Sequence, residues 1–140
     1  MLRLLASIAI FLLPLAAFAQ DKAVAALEGT FEVKEFDRAG KPVADEIRKA
    51  ITSVKIEKGK LTIQVDGKEI VAVLKADPAK KPAELDLLPQ GKEFDKGKKF
   101  PGVYTFEKDV LTICYVEDGD RPKELKSEAT TSTRLVLVKK

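Results

Sequence analysis

From Gly29 onward, apolar and polar residues alternate far more often than they recur at helical spacing. Alternation with a period of two marks strands that bury one face and solvate the other. Leu61, Ile63 and Val65 alternate with Lys60, Thr62 and Gln64, and just before them Val54 and Ile56 alternate with Ser53, Lys55 and Glu57. The Lys58-Gly59 pair between these runs is short enough for a hairpin turn. Asp66-Gly67 is a stronger signal, because both central residues of a type I′ turn need positive φ and Asp-Gly adopts it at little cost. Further strands are predicted over Gly29–Phe36, Glu69–Leu74, Glu84–Leu88, Phe100–Phe106, Val110–Val116 and Thr133–Lys139, which brings the total to eight. Pro101 falls near the start of its strand, where a missing N–H does least harm. Two short helices are predicted. One covers Lys22 to Leu27, capped by Asp21 and ended near Gly29; the other covers Asp45 to Ile51, with Ile47, Ala50 and Ile51 on one side.

Eight short strands joined mainly by hairpins predict an all-β fold: an eight-stranded up-and-down barrel with one or two short helices, closed so that no sheet edge is left unpaired. In such a meander, successive connections fall at alternate ends. Lys58-Gly59, Asp77–Ala83 and Glu107–Asp109 lie at one end. Residues 37–52, Asp66-Gly67, 89–99 and 117–132 lie at the other, where three of the four connections are long. The barrel therefore has a closed end and a looped end, and a ligand is expected to enter at the looped one.

Phase places Phe31, Val33, Val54, Ile56, Leu61, Ile63, Val65, Tyr104, Phe106, Leu111, Ile113, Tyr115, Leu135 and Leu137 on inward faces. A barrel of this size is just wide enough to be filled by its own side chains or to hold one small ligand. A hollow barrel would bind a small apolar molecule, with Phe31, Ile63, Tyr104, Phe106, Tyr115 and Leu137 as candidate contacts. Tyr104 and Tyr115 stand out there, each offering a flat ring and one hydroxyl. A filled barrel would instead be an interaction module that meets a protein partner at its loops.

Composition narrows the function further. The chain has no histidine, and neither asparagine nor tryptophan occurs in it, so no Ser-His-Asp or Cys-His arrangement can be assembled. No catalytic residue, cofactor or metal ligand is assigned. Without Arg3, 24 basic residues face 22 acidic ones, a balance that leaves no footprint for nucleic acid or an anionic membrane. Cys114 is the only cysteine and has no internal partner for a disulfide. It lies one residue out of phase with Leu111, Ile113 and Tyr115, so it is expected to point outward beneath a helix or loop as a small, inert hydrophobe. The acidic cluster that follows (Glu117, Asp118, Asp120) lacks the spacing of a calcium loop and reads as turn chemistry at a strand end. Arg121, before Pro122, reads as a positioned cation paired with a nearby carboxylate. Lys92, Lys96, Lys98 and Lys99 are interleaved with Glu93 and Asp95, as on a solvated loop.

Several segments, in order, resemble a lipocalin-like domain of small exported bacterial proteins of planctomycete type. They are "LEGTFEV" at Leu27, "GKPV" at Gly40, "KADPAKKPAELDL" at Lys75, "FPGVYTFEKDVLTICY" at Phe100, "DRPKEL" at Asp120 and "LVLVKK" at Leu135. The resemblance spans nearly all of residues 20–140. It implies a lipocalin-like barrel and no established activity. The family's Gly-x-Trp signature stands here as Gly29-Thr30-Phe31, which keeps the ring and loses the indole donor. In lipocalins a basic residue of the last strand packs across that ring. Arg134 is the matching candidate, for a cation–π contact worth about 0.5–2 kcal/mol.

Residues 1–19, "MLRLLASIAIFLLPLAAFA", combine Arg3, an apolar run from Leu4 to Leu15 and the small-x-small triplet Ala17-Phe18-Ala19. This is the pattern of a secretory signal peptide. A membrane anchor needs about 20 apolar residues, and this run is shorter and broken by Pro14. The domain is therefore expected to be residues 20–140, exported to the periplasm or beyond and without an integral membrane anchor. N-terminal sequencing of the secreted protein is expected to begin near Gln20; cytosolic protein retaining Met1 would contradict the export reading.

Overall fold

In the computed structural model, which describes residues 22–94, 97–128 and 131–140, the alternating segments pair in chain order. The export signal and the Asp21 cap lie outside those residues. The strands are β1 (Gly29–Arg38), β2 (Lys41–Pro42), β3 (Ile51–Glu57), β4 (Lys60–Val65), β5 (Lys68–Asp77), β6 (Ala83–Gln90), β7 (Phe100–Glu107), β8 (Val110–Val116) and β9 (Ser132–Lys139). All pairings are antiparallel, and β1 also pairs with β9. Eight strands thus close an up-and-down barrel, and the protein is all-β. The extra two-residue β2 folds back on the far end of β1. The Lys58-Gly59, Asp66-Gly67 and Lys108-Asp109 turns all have positive φ at both central residues, the conformation whose twist matches the flanking strands.

Two short helices flank the barrel. The first, α1, covers residues 22–26 and sits across the closed end. There the Glu28 carboxylate accepts the Lys58 N–H at 3.2 Å, and Val24 and Leu27 join the core. The second, α2 (Asp45–Ala50), buries none of its residues. The expected apolar side of this helix is not used as such. Ile47 is 52% exposed, and Ile51 leaves the helix to open β3 opposite Val65. A β-branched side chain packs well on a pleated surface, and here the cross-strand partner outweighs the helical context.

The connection after β8, described over residues 117–128, does not stand away from the barrel. It runs back over the outer face of β7 to β9, burying Val103, Cys114, Val116 and Ser132. Three attachments hold it. Arg121 donates to the Leu85 and Gly102 carbonyls at 3.0 and 2.9 Å and pairs with Glu84 at 3.1 Å and Asp86 at 2.7 Å. The Cys114 thiol meets the Lys126 carbonyl at 3.3 Å. Gly40 N–H donates to the Ser127 hydroxyl at 3.0 Å. The outward position of Cys114 beneath a loop agrees with its phase, and burial pushes its thiol pKa up, with Arg134 acting in the opposite sense. Arg121→Ala is expected to cost about 1.5–3 kcal/mol, the range for hydrogen bonds to charged groups. In native protein it should also speed labelling of Cys114 by a thiol reagent, which is expected to be slow in the wild type because the thiol is buried. Unchanged melting and labelling would show that the strap is held elsewhere.

Candidate functional site

The barrel interior changes character along its axis. Towards the closed end the inward residues Phe31, Ile56, Leu61, Leu85, Leu111 and Leu137 are buried, and Leu27 of the α1 segment is buried with them. Towards the looped end Val33, Phe36, Ile51, Ile63, Val65 and Ala72 are only half-buried, and Ile70, directly across from Ile63, is 50% exposed. Apolar wall thus stays accessible to water along the looped half; at the closed end Phe106 and Ala83 are half-buried beside α1.

One side of the looped end is aromatic. Phe100 and Tyr115 stack with ring centroids 5.9 Å apart and planes within 7°. Phe94 meets Phe100 edge-on at 6.1 Å, and the Lys98 ammonium lies 5.9 Å from the Phe100 centroid. Burial raises the Tyr115 phenol pKa, while its hydrogen bond with Thr133 works to lower it. Gly102, across from Tyr115, makes room for this arrangement. A Cβ there would lie 2.7 Å from the Cys114 carbonyl oxygen and 2.9 Å from the Tyr115 Cβ.

On the opposite side the wall is split. Strands β1 and β3 pair only from Gly29–Phe31 to Val54–Ile56, then part. Each carries a bulge beside the gap, β1 between Val33 and Glu35 and β3 between Ile51 and Ser53. Bulges bend a strand and increase its twist, which drives the two apart. The seam opens a cavity of about 390 Å³ lined by Phe31, Glu32, Val33, Lys34, Arg48, Lys49, Ile51, Thr52, Ser53, Val54 and Lys140. Arg48 of α2 spans it, donating to the Lys34 carbonyl and to Asp45, each at 3.2 Å.

The six candidate contacts do not form one cluster. Phe31 and Leu137 are buried in the packed half, although Phe31 also borders the seam. Phe106 meets Phe31 edge-on at 6.4 Å. Phe106 and Tyr104 line a cleft of about 350 Å³ against Ala23, Ala26 and Leu27 at the closed end, where burial and then Asp77 raise the Tyr104 pKa. Tyr115 belongs to the looped end, so the two tyrosines serve opposite ends. Ile63 lies in the half-buried wall between Val54 and Ile70. Arg134 does not cross the Phe31 ring. It faces outward, bonded to Glu35 at 3.0 Å and Asp37 at 2.9 Å, because strand alternation turns Thr133 and Leu135 inward and leaves no room for it there. Sequence reasoning missed the seam and its cations. Their one local sign is the adjacent pair Arg48-Lys49 at the end of a helix that leads directly into a strand.

Of the acidic residues after Cys114, two make contacts with neighbouring elements. Glu117 lies 3.7 Å from Arg38, and the Asp118 carbonyl accepts the Thr131 hydroxyl at 2.7 Å. Among the described residues no cluster of metal-ligating side chains occurs, and no helix is long and apolar enough to cross a membrane. Fold and site together define a closed eight-stranded antiparallel barrel with a packed base and an open, split upper wall. Comparison with protein-family models, curated proteins and solved structures finds no match.

Gly102→Ala is expected to cost about 1–3 kcal/mol through overpacking and to weaken the near-ultraviolet circular dichroism of the Phe100–Tyr115 stack. An unchanged spectrum and melting temperature would show that the stack does not need the missing Cβ.

Proposed function

We propose that this chain is an exported, lipocalin-like binding protein that holds one small apolar molecule in the looped half of its barrel and performs no chemistry on it. The observation that carries this reading is the gradient of burial. Leaving apolar surface in water forgoes about 25 cal/mol per Å² of stabilisation, and in the looped half this chain forgoes it over the wall formed by Val33, Ile51, Ile63, Ile70 and Ala72. Apolar walls with a few polar groups at their margin are the usual make-up of a small-molecule site. The resemblance to exported lipocalin-like domains and the secretory pattern of residues 1–19 support the same reading. A second reading, docking of a protein partner on the looped rim, draws on the exposure of Ile47 and Ile70.

The test is titration with N-phenyl-1-naphthylamine, which is uncharged and fluoresces in apolar surroundings. Saturable uptake at one site is expected. Ile63→Phe, which adds a ring to the looped half, should weaken it by about tenfold, equivalent to ~1.4 kcal/mol, while the β-sheet spectrum is retained. If the wild type takes up no probe and Ile63→Phe unfolds by overpacking, the interior is already full and the carrier reading fails. Loss of partner binding in Ile47→Ser and Ile70→Ser would then favour the rim.

A further inference from the structure

We propose that the ligand is an anionic amphiphile, with a single alkyl chain and a carboxylate-like head, and that the head is held in the β1–β3 seam by Lys34, Arg48, Lys49 and Lys140. The inference rests on the carrier reading and adds the ligand's chemistry and its direction in the site. The seam cavity has two kinds of wall. Val33 and Ile51 are half-buried apolar residues with Phe31 and Val54 buried behind them, while four cationic side chains and one acidic side chain, that of Glu32, line the same opening. A molecule spanning it therefore meets an apolar surface at one end and a positive field at the other.

The sign of the field belongs to this cavity and not to the whole end of the barrel. The neighbouring cavity shares Lys34 and Arg48, but there Glu35, Asp37 and Asp45 balance them and Arg134. An anion therefore gains more in the seam than beside it. Two of the cations are also positioned. Arg48 is fixed by the Lys34 carbonyl and by Asp45, which use two of the five donors of its planar fork, a group suited to gripping a carboxylate. Lys140 is brought to the opening by its backbone N–H, which donates to the Thr30 carbonyl at 2.8 Å. At about 390 Å³, the cavity lies at the small end of ligand sites, which run from ~300 to 1,000 Å³. That suits one chain of medium length.

The experiment is calorimetric titration of the full domain with decanoate, 1-decanol and decyltrimethylammonium. Decanoate should bind about tenfold more tightly than decanol, equivalent to ~1.4 kcal/mol, and its advantage should shrink as salt screens the cations. Arg48→Gln with Lys49→Gln should erase that advantage and leave decanol binding unchanged. Lys34→Gln alone should reduce it, which keeps the test valid if the double variant loosens α2. Equal binding of decanoate and decanol, or tighter binding of the cation, would overturn the anionic head group while leaving the carrier reading intact. Loss of the advantage in Lys98→Gln with Lys99→Gln, and not in the seam variants, would overturn its placement. If none of the three compounds binds, both proposals fall.

Discussion

Strand β1 has two neighbours to satisfy and cannot run alongside both. It gives nearly its whole length to β9, from Phe31 to Arg38, and only Gly29 to Phe31 to β3. Buried backbone groups need partners, so its exposed edge finds others. Arg48 donates to the Lys34 carbonyl, and the Val43 N–H donates to the Phe36 carbonyl. Both donors come from the excursion through β2 and α2. Had β1 followed β3 instead, the barrel would close on that side and α2 would have nothing to cover.

The consequence is a division of labour within one interior. The closed half carries the stability, packed by aliphatic side chains, the Phe31 and Phe106 rings and the segment that follows α1. The looped half carries the accessible apolar wall, aromatic beside β6 to β8 and aliphatic beside β3 to β5. Outside the barrel, the strap of residues 117–128 forms a further packed layer, held to the sheet by Arg121, the Cys114 thiol and Ser127 and not by the main core.

Much of this was legible in the sequence. Period-two alternation located the strands, and Lys58-Gly59 and Asp66-Gly67 fixed two of the hairpins. Phase alone put Cys114 outside and Tyr115 inside. The same phase already placed Arg134 outside, between Thr133 and Leu135, and only the expectation attached to the family resemblance turned it inward. What could not be read is height and register. Tyr104 and Tyr115 share the inward phase, yet nothing local says that one ring reaches the closed-end cleft and the other stacks on Phe100. The bulges at Val33/Glu35 and Ile51/Ser53 have no local signature, because each arises from accommodating strands distant in sequence. Ile51 follows a helical stretch, and the residue that makes it a strand, Val65, lies across the sheet. The seam depends on these features, so it stayed hidden while its lining residues were in plain view.

The closing pair also sets the order in which the molecule can assemble. Most strand pairings along the meander are hairpins, so their residues are close in sequence. The β1–β9 pair joins the two ends of the barrel, and the Arg134 contacts with Glu35 and Asp37 that lie on it span 99 and 97 residues. Long-range pairing must meet the loop-closure entropy before it yields any contact energy. The hairpins can therefore form early and independently, while closure waits until the sheet has curled enough to bring its edges together. Until then β1 and β9 are unprotected strand edges, open to pairing with another chain. The interval before the ends meet is the period of greatest exposure to aggregation.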